Sequence, residues 1–175
     1  MNDIPIILDV EASGFGAGSY PIEVGVALSD AHLLARLIKP ADHWVHWQES
    51  AESLHGIPRA RLFEDGVEPR ELAIELNHLL AHKTVYTDGW GVDRSWLALM
   101  FDEAEVIQRF KLESIYSLLN EEQLESWSAS KARVLELTGM VPHRAGTDAL
   151  LIQKTYLYAL NPEKFEKKPG MINAA

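Results

Sequence analysis

Ile4-Pro5-Ile6-Ile7-Leu8-Asp9-Val10-Glu11-Ala12-Ser13-Gly14 is the stretch on which the reading of this 175-residue chain turns. Ile4 to Val10 is a short apolar run rich in β-branched residues, which reads as a buried strand. It ends in two carboxylates two positions apart. Residues i and i+2 of a strand share a face, so Asp9 and Glu11 should project side by side where a core strand ends. Two such charges repel unless a cation or a proton intervenes. In a chain with 26 Asp and Glu, one Asp-x-Glu pair is expected by chance, so its meaning depends on its surroundings.

Outward from that strand, Ser13 to Ser19 is a Gly-rich loop. Ile22 to Leu28 and His32 to Ile38 read as two further strands, joined by a hairpin turn at Ser29-Asp30. Gln48 to Leu54 reads as a short helix, and His55 to Pro58 as a turn. Glu68 to His82 is amphipathic, with Leu72, Ile74, Leu76, Leu79 and Leu80 at helical spacing. Lys83 to Thr87 reads as a short strand, Asp93 to Phe101 as the start of a helix, and Arg109 to Leu112 as an edge strand. A long helix is expected over Glu121 to Leu137, closed by Gly139. The last helix is expected over Thr147 to Leu160, with Thr147 as its N-cap. Strands first, then helices alternating with strands, indicate a mixed sheet flanked by helices, an α/β or α+β fold. One domain is expected over residues 1–161, followed by a loosely held tail over 162–175.

The charge balance narrows the function. Sixteen Lys and Arg against 26 Asp and Glu leave a net charge of −10. That excludes a protein that coats long duplex nucleic acid, which needs a basic surface. It fits a solvated acidic surface, or acids gathered around divalent cations. The absence of cysteine excludes disulfides, thiolate zinc sites and a cysteine nucleophile, and the expected location is cytoplasmic. The N-terminal stretch carries an acid at position 3 and no basic run, so no secretory leader is expected. No stretch approaches the length of apolar chain that spans a membrane.

Two other acid groups stand near element ends. His143-Arg144-Ala145-Gly146-Thr147-Asp148 places a carboxylate in the first turn of the last helix, where the helix dipole alone would favour it by about 0.3–1 kcal/mol. Asp88-Gly89-Trp90-Gly91-Val92-Asp93 places another at a helix start, where capping or turn formation would account for it. Each has an ordinary explanation by itself.

Together, in this order, they resemble the DEDDh family of 3′–5′ exonucleases, which have the ribonuclease H-like fold with antiparallel first strands. Asp9-Val10-Glu11 matches the family's first motif. Ile22-Glu23-Val24-Gly25 is similar to its second strand, and Leu54-His55-Gly56-Ile57 to its loop signature. Val92 to Leu97 aligns with the middle motif and puts Asp93 at a metal-ligand position. Asp88-Gly89 then stands where the family commonly has His-Asn. His143, Ala145 and Asp148 match the last motif. The resemblance runs from residue 4 to about residue 160.

It implies phosphodiester hydrolysis at single-stranded 3′ ends of RNA or DNA, releasing nucleoside 5′-monophosphates. Two Mg²⁺ or Mn²⁺ ions about 4 Å apart would serve the two ends of an in-line displacement, and hard cations prefer carboxylate oxygens. The resemblance assigns Asp9, Glu11 and Asp148 as direct metal ligands and Asp93 as a ligand directly or through water. It assigns His143 as general base, since an imidazole titrates near neutral pH. Gly14 and Phe15 are expected at the terminal nucleotide, where Phe15 either stacks on a base, worth about 1–3 kcal/mol, or closes the core. Trp90 beside the site, Arg144 toward a phosphate and Asp88 as a substrate contact or supporting carboxylate complete the candidates. The scarcity of basic residues favours a footprint of a few nucleotides, and a homodimer partner could add basic surface. The competing expectations are a DNA proofreading-like enzyme, a catalytically inactive exonuclease fold used as a binding module, and a cation-binding protein without nuclease activity.

Overall fold

The central strand is β1 (Ile6–Ala12), and the alternation of its side chains organises both halves of the core. The computed structural model describes residues 4–30 and 32–169. On one face of the sheet Leu8, Val10 and Ala12 join Leu72 and Leu76 of α3 (Pro69–Leu80) and Leu97 and Met100 of α4 (Trp90–Glu103). On the other face Ile7 packs with Ala149, Ile152 and Tyr156 of α6 (Ala145–Leu160) and Trp127 of α5 (Glu121–Thr138). Full burial of such side chains is worth about 1.5–3 kcal/mol each. Asp9 and Glu11 fall on the Ile7 face, the side covered by α6.

The sheet has five strands in the order β3-β2-β1-β4-β5. β2 (Pro21–Ala27) runs antiparallel to β1, with Asp9 opposite Gly25 and Glu11 opposite Glu23. β3 (Leu33–Leu37) is antiparallel to β2. β4 (Thr84–Thr87) and the edge strand β5 (Lys111–Ser114) are parallel additions. This is the mixed sheet with antiparallel first strands that the sequence indicates. Two short helices, α1 (Glu49–His55) and α2 (Arg59–Asp65), lie between β3 and α3. The sequence reading has no counterpart for α2. Among the described residues no helix is long and apolar enough to cross a membrane.

Four boundaries differ from expectation for local reasons. α4 begins at Trp90, three residues before Asp93, because the Gly89 carbonyl accepts the first helical N–H groups. β5 is displaced toward Ser114, because pairing of Thr84 with Lys111 sets its register. α6 begins at Ala145, and Thr147 lies inside its first turn rather than capping it. The Ala145 N–H is satisfied by Glu23 of β2 at 2.9 Å, so the cap comes from across the fold. Finally, the expected loose tail begins as α7 (Pro162–Lys167), capped by Asn161, with Phe165 buried against Val134 and Leu151. The rest of that tail from residue 170 onward lies outside the described residues.

α6 sits on β2 at backbone distance. A Cβ added at Gly25 would lie 2.1–2.3 Å from the Ala145 carbonyl and the Gly146 nitrogen. Gly25 is therefore required by close approach rather than by its backbone conformation. Gly25→Ala should destabilise the protein by about 1–3 kcal/mol, read as a shift in urea midpoint. An unchanged midpoint would contradict this packing.

Candidate metal and active site

β1 brings Asp9 and Glu11 to one face, and the first turn of α6 brings Asp148 above them. One carboxylate oxygen from each lies within 4.8 Å of the others. The close seat of α6 on Gly25, the residue paired with Asp9, sets this approach. Asp148 is oriented from its own loop, since its Oδ2 accepts the His143 N–H at 2.8 Å. His143 holds φ at 73°, a left-handed conformation uncommon for a residue with a side chain. That conformation turns the N–H inward, and the half-exposed imidazole lies near enough to Asp148 to offset part of the rise that burial imposes on that carboxyl's pKa.

Asp93 arrives from the first turn of α4 and is buried. The Thr87 hydroxyl donates a short hydrogen bond to its carboxylate and accepts one from the Gly89 N–H at 3.0 Å. Thr87 thus links the end of β4 to the start of α4. Gly89 is also needed for space, since a Cβ there would lie 2.8 Å from Asp93 Oδ2.

These acids burden one another. Burial raises the Asp9 pKa far above the ordinary carboxylate range, and Asp93, Asp148 and Glu11 add to the rise. Burial, then Asp148 and Glu23, push Glu11 up to about 7. Burial likewise pushes Asp93 up to about 7, against the opposing Thr87 hydrogen bond. Asp148 is raised by burial too, partly offset by the His143 N–H and by Lys131. Near neutral pH this cluster takes up protons unless cations replace them.

Asp88 is engaged within the protein. Its Oδ2 accepts a hydrogen bond from Lys131 Nζ of α5 at 2.7 Å. Burial would lower the pKa of Lys131, but Asp88, with Asp148 and Asp9, holds it above the usual range. Lys131 is thus an internal counter-charge for the cluster, and the sequence reading does not single it out. The signal was its helical spacing from Trp127 and Val134, both buried, which puts it on the inward face of α5.

The Arg144 guanidinium, expected toward a phosphate, is held by Glu23 through two of its three nitrogens. Nε and Nη2 bond its two carboxylate oxygens at 3.0 and 2.5 Å. Glu23 is 2% exposed and stands opposite Glu11, so the guanidinium neutralises one of two facing carboxylates. Trp90 is anchored from its ring nitrogen. Its indole donates to the Leu112 carbonyl of β5 at 3.0 Å, outboard of β4.

Gly14 and Phe15 form a fixed loop. Gln48 accepts from the Phe15 N–H and donates to its carbonyl, both at 3.0 Å. A Cβ on Gly14 would collide with that Gln48 side chain, and φ there is 138°. The Phe15 ring remains 66% exposed, 5.8 Å from the ring of Trp96, one turn along α4 from Asp93. It therefore does not close the core, whereas Trp96 is buried there.

No protein-family model and no curated protein matches the chain. Solved structures do. It is similar to E. coli exonuclease I in complex with a dA16 oligonucleotide, at TM-score 0.65 and 12% identity over 93% of this chain. It is similar at TM-score 0.62 and 13% identity to the zinc-bound form of an E. coli exonuclease I complex with single-stranded DNA, again over 93% of this chain. A product-bound exonuclease I matches over 93% of this chain at TM-score 0.62 and 11% identity. The fold is the ribonuclease H-like exonuclease fold. This chain spans 42–44% of the length of those exonuclease I chains.

The donor set consists of oxygens from three part-buried carboxylates with raised pKa values, and it fits a hard divalent cation. Glu11 titrates near 4.5 when unfolded and near 7 when folded. A raised folded value contributes stability that is complete below the unfolded value and is lost as pH rises through the folded one. In chelator, the melting temperature should therefore fall as pH climbs from about 4.5 to 7.5. Mg²⁺ should restore it at the upper end, and Glu11→Gln should flatten the fall. A melting temperature that is level across this range in chelator would contradict the cluster's electrostatics.

Proposed function

We propose that this protein is a metal-dependent 3′–5′ exonuclease. It hydrolyses phosphodiester bonds at single-stranded 3′ ends of nucleic acid and releases nucleoside 5′-monophosphates. The observation that carries this reading is the meeting of Asp9 and Glu11 of β1 with Asp148 of α6 within 4.8 Å, on an exonuclease fold. The exonuclease I structures bound to single-stranded oligonucleotides support the same substrate class.

Asp9, Glu11 and Asp148 would hold two Mg²⁺ or Mn²⁺ ions, with buried Asp93 directly or through water. Such ions lower the pKa of water and offset charge on the phosphate oxygens. His143 would accept the proton of the water attacking phosphorus. The bond from phosphorus to the preceding 3′ oxygen then breaks, and that oxygen takes up a proton from solvent, leaving a new 3′-hydroxyl and a free 5′-monophosphate. The His143 N–H keeps Asp148 turned toward the cluster, so backbone and side chain of one residue serve different tasks. Lys131 holds Asp88 and shares its charge with the cluster, which favours Asp88 as a supporting carboxylate. Phe15, exposed and clamped by Gln48, is available to stack on the terminal base.

The test uses 5′-labelled single-stranded RNA and DNA of equal sequence with Mg²⁺, Mn²⁺ or EDTA. A ladder shortening from the 3′ end is expected with metal, absent in EDTA and in Asp9→Ala. His143→Ala should lower turnover by about 10²–10⁴-fold with metal affinity retained, whereas Asp9→Ala should lose metal affinity as well. No ladder on either sugar, with metal still bound, would leave an exonuclease fold that binds without cleaving.

A further inference from the structure

We infer that the open side of β5 is a second nucleic-acid contact, carrying the single strand 5′ to the cleaved end. The inference deepens the exonuclease reading and rests on it for the direction of the strand. Two adjoining depressions of about 490 and 650 Å³ lie along this edge of the sheet and share Gln108, Phe110 and Lys111. Arg94, Lys111, Lys83 and Arg109 stand on their walls together with His82, all exposed. Glu113 is the one acid among the residues lining them. In a chain with 26 acids and 16 Lys and Arg, four cations around one groove run against the charge of the rest of the surface.

Among the described residues, these charges are not neutralised by acids of the protein. Among the described residues, Arg36, Lys39, Arg61, Lys131, Arg133 and Arg144 are ion-paired. Among those same residues, none of the four groove cations has a carboxylate within pairing distance. Several groups of the groove are nevertheless fixed. Lys83 Nζ donates to the Leu79 carbonyl at 2.9 Å. The Arg94 guanidinium lies 5.1 Å from the ring centre of Trp90, whose indole is anchored on Leu112. A held cation loses less side-chain freedom when it meets a phosphate. Trp90 is 37% exposed and offers a ring face on which a base can stack.

The first turn of α4 connects the groove to the carboxylate cluster. Trp90 and Asp93 lie in the same first turn of α4, Trp90 lining the groove and Asp93 behind the metal ligands. β5 extends about 10 Å at 3.3 Å per residue, room for about three stacked nucleotides at 3.4 Å each. A strand whose 3′ end lies at Asp9 and Asp148 could pass Trp90 and run along β5 over Lys111, Arg109 and Lys83. The flat Trp90–Arg94 pair favours bases over the side chains of an acidic peptide.

Binding without turnover tests this. Fluorescence anisotropy is read with labelled single-stranded dinucleotide and dodecanucleotide in Ca²⁺, with the oligonucleotide confirmed intact on a gel. The wild type should bind the longer strand more tightly. The double variant Lys83→Glu/Lys111→Glu should lose that gain, weakening dodecanucleotide affinity at least about tenfold. Its salt slope should fall by about 1.4, at 0.7 for each phosphate no longer neutralised. The double variant Lys164→Glu/Lys167→Glu on α7 makes the same change in net charge and should bind as the wild type does. Melting curves confirm that each variant is folded, and Lys83→Arg/Lys111→Arg should bind normally. Equal affinity of wild type and groove variant overturns the inference, as does equal weakening by both charge-reversed pairs. Displacement of the oligonucleotide by poly-glutamate at equal charge also overturns it, because the groove would then read charge alone. An active 3′ ladder with unaltered groove-variant binding would leave the exonuclease reading standing and remove the groove.

Discussion

Everything at the carboxylate cluster depends on how the start of α6 is tied to β2. Gly25 lets the backbone of Ala145 and Gly146 descend onto the strand. Glu23, two residues earlier on the same face, accepts the Ala145 N–H and both arms of the Arg144 fork. The helix end thus finds a buried carboxylate where most helices use a local polar side chain or water. This tie sets where Asp148 stands over Asp9 and Glu11. It also resolves a conflict, since Glu11 and Glu23 face each other across the strand pair and like charges so placed are unfavourable. Arg144 is spent on that neutralisation.

The cluster itself is unfavourable in isolation. Burial and mutual repulsion hold Asp9, Glu11, Asp93 and Asp148 above ordinary carboxylate pKa values. The surrounding scaffold has the stiffness to impose this: a central strand buried on both faces, two helix starts and a hydroxyl bridge at Thr87. Lys131 supplies one compensating charge from α5. Concentrated negative charge held against its own repulsion is what a divalent cation relieves, and this links the packing of the fold to the chemistry proposed for it.

The distribution of positive charge has the opposite logic. Among the described residues, half of the basic side chains outside the β5 edge are paired with acids, whereas Lys83, Arg94, Arg109 and Lys111 along it are exposed and have no carboxylate within pairing distance. A molecule of net charge −10 repels a polyanion at long range. Attraction must therefore be local, and the edge strand beside α4 is where the surface provides it.

Much of this was legible in the chain itself. The apolar run ending in Asp9 and Glu11, the helical spacing of Leu72, Leu76 and Leu80, and Gly139 at a helix end are local signals, because strand alternation and helix periodicity act between near neighbours. The order of the acidic motifs pointed to the fold only through the resemblance to the exonuclease family. What required the tertiary structure was every partnership across the chain. Glu23 capping α6, Arg144 turned to Glu23, Lys131 reaching Asp88 and Trp90 anchored on β5 join residues separated by 22 to 122 positions. The spacing of a motif does not reveal which distant group satisfies a buried donor or charge. Sequence by itself determined which residues could carry the chemistry; the fold decided how each is presented, because a distant partner fixes which atoms of a side chain are bound inside the protein and which still face a substrate.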